Sequence, residues 1–294
     1  MTRREAVTLL AAAAAGSAAP AASPRPMLKR RIPSSGEELP AIGLGTWQTF
    51  DTTQSAPLEE VLRTFVQLGG RVVDSSPMYG RSETVLGDLA AKLGLQAKLF
   101  VATKVWTSGK QAGIAQMNDS MRKLRVEKLD LMQVHNLVDA HAHLATLAAW
   151  KKEGRIRYLG ITHYTQGAYD AVARYLAKQP LDFLQINYSV IEREAEQRIL
   201  PLAKERGVAV IVNRPFGEGS AFRAVRNKPL PAFARELDCT SWAQLFLKFV
   251  ISHPAVTCAI PATSKVEHLR DNMAAGRGRL PNEQERKRIA EAIG

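Results

Sequence analysis

Residues 129–162 decide the fold: Leu129-Asp130-Leu131-Met132-Gln133-Val134-His135 opens the stretch, Ile156-Arg157-Tyr158-Leu159-Gly160-Ile161-Thr162 closes it, and His141 to Glu153 lies between. The flanking runs are largely apolar and of strand length, whereas the middle segment is long enough for an amphipathic helix. Strand, helix, strand in that order reads as a parallel β/α unit. The alternation continues in both directions. Strand-like runs occur at Ile42 to Leu44, Arg71 to Asp74, Leu99 to Lys104, Leu129 to Val134, Ile156 to Thr162, Phe183 to Asn187, Val208 to Asn213 and Val256 to Ile260. Helix-length segments follow at Pro57 to Leu68, Glu83 to Leu93, Ile114 to Leu124, His141 to Glu153, Ala168 to Leu176, Ala195 to Arg206, Trp242 to Ser252 and Val266 to Ala275.

Eight such units, with no Pro-rich or Ser-rich linker dividing them, predict one α/β domain over residues 27–294, a (β/α)8 TIM barrel. Leu28 to Pro40, centred on Ser34-Ser35-Gly36, is expected as an N-terminal hairpin closing the barrel floor, and Asn282 to Ile293 as an extra C-terminal helix. An open doubly wound sheet competes, but the first strand lacks the G-x-G-x-x-G turn that would cradle a dinucleotide. Gly43-Leu44-Gly45-Thr46-Trp47 carries only two of the three glycines and reads as a tight turn at the barrel mouth.

With 294 residues, 46% hydrophobic and 23% charged, the chain is neither disordered, collagenous nor a coiled coil. Its net charge of +12 is spread over Arg30-Arg31, Lys151-Lys152, Arg277, Arg279 and Arg286-Lys287-Arg288, with no nucleic-acid motif among them. Dispersed charge favours solubility, and no nucleic-acid partner is expected. Cys258 lies inside an apolar strand-like run, so Cys239 and Cys258 are expected as free thiols.

Thr2-Arg3-Arg4-Glu5-Ala6-Val7 precedes an apolar run, Val7 to Ala15, and then small residues and prolines up to Pro26. Residues 1–26 resemble a twin-arginine export signal, with cleavage expected near Ala19 or Ala22. The run falls short of the ~20 apolar residues that span a bilayer, so stable membrane insertion is not expected. A periplasmic mature protein follows, and a monomer is expected.

In a barrel of this kind, functional groups belong at the carboxyl ends of the strands. Asp74 ends the second strand with Tyr79 five residues on, Lys104 ends the third, and His135 follows the fourth. Thr162 and His163 follow the fifth, Gln185 and Asn187 lie in the sixth, and Asn213-Arg214-Pro215-Phe216 follows the seventh. Asp, Tyr, Lys and His converging from three successive strand ends suit acid chemistry on a carbonyl. A tyrosine is a sluggish acid at neutral pH, and an adjacent lysine stabilises its ionised form and lowers its pKa. Asp74 would hold Lys104 charged, and His135 would orient the substrate oxygen. No metal is needed, and His141-x-His143 reads as surface or capping histidines rather than ligands.

The order Asp74, Tyr79, Lys104, His135, with Gly43-Leu44-Gly45-Thr46-Trp47 before it and Ile260-Pro261 after, closely resembles the aldo-keto reductases. The resemblance runs from about Leu28 to Ala275 and includes all four members of the family's catalytic tetrad. It implies hydride transfer from NADPH, or alternatively NADH, to an aldehyde or ketone, with Tyr79 as general acid. It further implies that Gly45, Thr46, Thr162, His163 and Gln185 face the nicotinamide. Asn213, Arg214, Pro215 and Phe216 would also contact the cofactor, and Thr263, Ser264, Lys265, His268, Asp271 and Asn272 would hold its adenosine end.

Trp47 and Trp106 are either substrate-pocket walls or core aromatics. Asn213 replaces the aromatic residue that commonly stacks on the nicotinamide, Thr162-His163 stands where many members have Ser-Asn, and Ala262 replaces a lysine common in NADPH users. Lys265, His268 and Arg270 would neutralise a 2′-phosphate instead. Export leaves the supply of reduced cofactor to loading before transport or to a redox partner. The alternative function is a nicotinamide-nucleotide-binding sensor on the same barrel, with little turnover.

Overall fold

The computed structural model describes residues 25–294. The expected export signal therefore lies outside the described residues, save Arg25 and Pro26. The chain opens with an antiparallel hairpin, β1 (Lys29–Arg31) and β2 (Glu38–Pro40). Eight parallel strands follow: β3 (Leu44–Gly45), β4 (Val72–Asp74), β5 (Phe100–Val105), β6 (Leu129–His135), β7 (Ile156–Thr162), β8 (Phe183–Asn187), β9 (Ala209–Asn213) and β10 (Val256–Ala259). They pair in chain order, and the sheet closes on itself where Gly43 N–H donates to the Ala259 carbonyl (2.8 Å) and Ala259 N–H to that of Ala41 (2.9 Å). This is the expected (β/α)8 barrel.

Gly43 and Gly45 do not form the tight turn expected of them. Leu44 and Gly45 are strand residues, and neither glycine has a positive φ. Their requirement is close approach: a Cβ on Gly43 would lie 2.8 Å from the Val72 carbonyl oxygen, and one on Gly45 2.8 Å from that of Ile260. Without side chains, Gly43 and Gly45 let the first strand lie close against both its neighbour β4 and the end of the last strand at the seam.

The helices cover the barrel because each turns one apolar stripe inward. On α1 (Ala56–Gln67) the buried positions Leu58, Val61, Leu62 and Phe65 recur at helical spacing. The others are α2 (Ser82–Lys92), α3 (Lys110–Leu124), α4 (Ala140–Lys152), α5 (Tyr169–Lys178), α6 (Ile199–Glu205), α7 (Ser220–Ala224), α8 (Trp242–Ile251), α9 (Val266–Ala275) and α10 (Glu283–Glu291). The last is the expected extra helix, started by a capping box between Asn282 and Glu285. Helix α6 is shorter than expected because Arg198 leaves the helical region (φ −142°), and residues 194–196 form a separate 3-10 turn. Helix α7 was not anticipated; it lies in the long β9–α8 connection just after Gly217, Glu218 and Gly219, all of positive φ.

Side chains alternate between two cores. Outward residues such as Val73, Val101, Val134 and Ile161 meet the helices. Inward residues Val72, Phe100, Ala102, Leu131, Tyr158, Phe183 and Ile211 fill the barrel, and Ile32 and Leu39 flanking the hairpin turn plug its floor. Each fully buried Phe here contributes about 1.5–3 kcal/mol. The same period of two turns Asp74, Lys104, Gln133, His135, Thr162, Gln185 and Asn213 inward, one layer above this apolar plug.

Candidate active site

Asp74 is the hub of the upper layer. Lys104 Nζ donates to Asp74 Oδ2 at 2.6 Å and to the Ser75 carbonyl at 2.7 Å. Gln185 Nε2 donates to Asp74 Oδ1 at 2.8 Å, and Gln133 Nε2 approaches the same oxygen at 3.4 Å. Both members of the ion pair are closed to solvent, with Lys104 at 0% and Asp74 at 2% exposure. Burial acts to lower the Lys104 pKa, but Asp74 and Tyr79 outweigh it and hold the lysine above its ordinary value, as a cation.

Tyr79 stands over this cation, with Lys104 Nζ 5.0 Å from its ring centre. Burial raises the phenol's pKa and Lys104 lowers it; burial prevails, so Tyr79 lies above the usual tyrosine value. The lysine acts in the sense expected, but the net shift is opposite to the expected lowering. The consequence is that Tyr79 keeps its proton at neutral pH, while the charge that would stabilise its phenolate is already in place.

His135 packs edge-on to Tyr79, ring centres 5.9 Å apart. Burial, reinforced by Lys104 and His163, depresses its pKa to about 3, so the imidazole is neutral. Its Nδ1 is 3.0 Å from Ser76 Oγ.

These groups border a cavity of about 460 Å³ at the barrel mouth. Asp74, Tyr79 and His135 line it together with Gly45, Thr46, Trp47, Thr162, Gln185, Asn213, Arg214, Pro215 and Phe216. Lys104 sits behind this wall. Thr162 Oγ1 donates to Gln185 Oε1 at 3.2 Å, so the strand-end polar groups form one network with Asp74. Trp47 is 43% exposed on the cavity rim, so it is not a core aromatic. Trp106 is likewise exposed, its ring 6.4 Å from that of His135.

The remaining expected residues lie outside this cavity. His163 Nδ1 accepts the Tyr164 N–H at 3.0 Å, and it is Tyr164 that faces the opening. Ser264, Lys265 and His268 are exposed beyond β10, and Thr263 Oγ1 accepts the Lys265 N–H at 3.1 Å. Asn272 is buried in α9, and Asp271 there accepts bonds from Ser241 Oγ (2.7 Å) and Gln244 Nε2 (2.6 Å), which tie α9 to α8. His143 is buried with Nε2 against the Thr107 carbonyl, His141 is exposed, and both cysteines are buried free thiols. No helix among the described residues is long and apolar enough to cross a membrane.

Sequence reasoning missed Gln133, Met78, Asn136, Tyr164 and Glu218. Gln133 was findable, since it precedes His135 by two on the same strand and must share its face. Asn136 follows His135 directly, with φ +52°, and its Oδ1 is buried at the cavity with no partner among the described residues. Glu218 depends on loop geometry: Arg214, itself at φ +49°, lies 3.3 Å from Glu218 and 3.1 Å from Glu192. No short-range pattern announces that pairing.

Comparison with known proteins agrees with this architecture. The chain is 29% identical over 259 residues to the methylglyoxal reductase YeaE of Escherichia coli strain K12, covering 84% of this chain and 89% of that protein. Its fold superposes on an aldo-keto reductase from Klebsiella pneumoniae, crystallised with NADPH, with a TM-score of 0.76 and 25% identity over 90% of this chain and 95% of the other. The holo form of AKR11C1 from Bacillus halodurans superposes with a TM-score of 0.75 at 22% identity, over 90% and 96% of the two chains. The model of the aldo/keto reductase family matches residues 41–293, and the chain belongs to that family.

Proposed function

We propose that the protein reduces an aldehyde or ketone to an alcohol at the expense of NADPH, with Tyr79 as the general acid. The observation that carries this reading is the Lys104 cation held between Asp74 Oδ2, at 2.6 Å, and the Tyr79 ring, at 5.0 Å, beside an open cavity. A nicotinamide nucleotide fits what the cavity offers. Asn136 Oδ1 and Asn213 Oδ1 are buried amide oxygens with no partner among the described residues, the kind of acceptor a carboxamide N–H requires. Lys265, His268 and Arg270 are exposed at α9 and suit its phosphates. When bound, the reduced nucleotide supplies hydride to the carbonyl carbon.

The chain's own groups handle the carbonyl oxygen. Neutral His135 donates a hydrogen bond that positions it, and Tyr79 delivers a proton as negative charge develops there. Lys104 stabilises the phenolate left behind, and Asp74 keeps Lys104 charged and aimed. Trp47, Met78 and Tyr164, each about two-fifths exposed at the rim, favour a carbonyl carried on an apolar or aromatic body. We further propose export of a monomer through the twin-arginine route, with cofactor loaded before transport or recycled by a partner; the basis is the paired Arg3-Arg4 before the Val7 to Ala15 run.

The test is NADPH consumption by the purified protein with an aromatic aldehyde, with alcohol formation measured in parallel. One alcohol formed per NADPH consumed supports the reading. Tight NADPH binding without alcohol would overturn it in favour of a sensor.

A further inference from the structure

Ser76 lies three residues before Tyr79 and touches both working residues. Its carbonyl accepts the Tyr79 N–H at 3.0 Å, and its hydroxyl oxygen is 3.0 Å from His135 Nδ1. The same oxygen accepts the Met78 N–H at 3.3 Å. Ser76 is fully buried, and among the described residues its hydroxyl has no other acceptor than Nδ1.

That geometry selects one arrangement of protons. If Nδ1 carried the imidazole proton, it would donate to Ser76, and the serine's own hydrogen would be left buried without an acceptor. If Nδ1 is bare, the Ser76 hydroxyl donates to it and Met78 N–H occupies the oxygen, so both of these buried protons have acceptors. The imidazole proton then resides on Nε2, which has no protein partner among the described residues while His135 lines the cavity.

We propose that Ser76 is a positioning residue that fixes His135 as the Nε2–H tautomer and so makes it a donor to whatever oxygen enters the cavity. This deepens the reductase reading and rests on it for its consequence. The tautomer itself does not depend on turnover. By holding Tyr79 through its carbonyl and His135 through its hydroxyl, Ser76 also sets the spacing between proton donor and orienter.

The experiment is nitrogen-15 NMR of the full chain at neutral pH, with the His135 signals identified by their loss in His135→Gln. The parent is expected to show Nδ1 bare and Nε2 protonated; a protonated Nδ1 overturns the proposal. In Ser76→Ala, proton occupancy should shift toward Nδ1, and an unchanged tautomer there would mean that Ser76 only caps the turn at Met78. Ser76→Thr keeps the hydroxyl and should keep the parental tautomer, which leaves the proposal testable if the alanine variant does not fold. In turnover, Ser76→Ala is expected to lower kcat about 10- to 100-fold, as for other residues that orient a working histidine, with the KM for NADPH within about twofold. A protein that reduces no carbonyl would refute the reductase reading and leave the tautomer result standing.

Discussion

Lys104 Nζ and Asp74 Oδ2 are 2.6 Å apart in a layer closed to water, and Gln133, Gln185 and, through Gln185, Thr162 connect to that pair. A buried ion pair is held by geometry and extra hydrogen bonds more than by net attraction. Here Gln185, Gln133 and the Ser75 carbonyl supply them.

Removing one partner should therefore be costly. Asp74→Asn leaves the Lys104 charge without its counter-ion and is expected to lower unfolding stability by about 3–5 kcal/mol in urea titrations. Replacing both, with Asp74→Asn and Lys104→Met together, should recover part of that loss. A single variant within about 1 kcal/mol of the parent would show that solvent reaches the pair.

The pH behaviour follows from the shifts. His135, depressed to about 3 when folded, takes up a proton more readily when unfolded, so its contribution to stability is complete above about pH 6.5 and declines as pH falls toward 3. Stability should decline less steeply with acid in His135→Gln. Lys104 is raised, so its contribution is complete below about pH 10.4 and is lost only as pH climbs through the higher folded value. For activity, neutral His135 and protonated Tyr79 predict a kcat/KM profile with no inflection from either group between about pH 5 and 9.

The barrel seam gives a prediction independent of chemistry. Gly45→Ala would press a methyl against the Ile260 carbonyl, where a Cβ has only 2.8 Å, and is expected to destabilise by about 1–3 kcal/mol. Gly167→Ala, with nothing within 4 Å of the added Cβ, should stay near the parent. Equal stability of the two variants in thermal unfolding would contradict the account of the seam.

Much of this was legible in the sequence because it depends on short-range periodicity. The runs at Ile156–Thr162 and Phe183–Asn187 match strands β7 and β8 residue for residue, since an apolar run bounded by turns has few other ways to pair. Asp74, Tyr79 and His135 were found because strand ends are where a barrel puts its chemistry. The role of Gly43 and Gly45 was misread, because the closing contact joins residues more than two hundred positions apart. The direction of the Tyr79 shift was misread for a similar reason: burial is a property of the assembled fold, while the lysine's charge is visible in the chain. Ser76 stands in the sequence between Asp74 and Tyr79, but its hydroxyl acquires a role only when the fold brings it to His135.

The central claim, that Tyr79 is the proton donor to a carbonyl, is tested most directly by comparing the parent with Tyr79→Phe in NADPH oxidation with an aromatic aldehyde, alongside NADPH affinity by fluorescence titration. The account predicts a fall in kcat of at least about 100-fold with affinity within about twofold, the range for loss of a positioned acid. Parental turnover in Tyr79→Phe would contradict it.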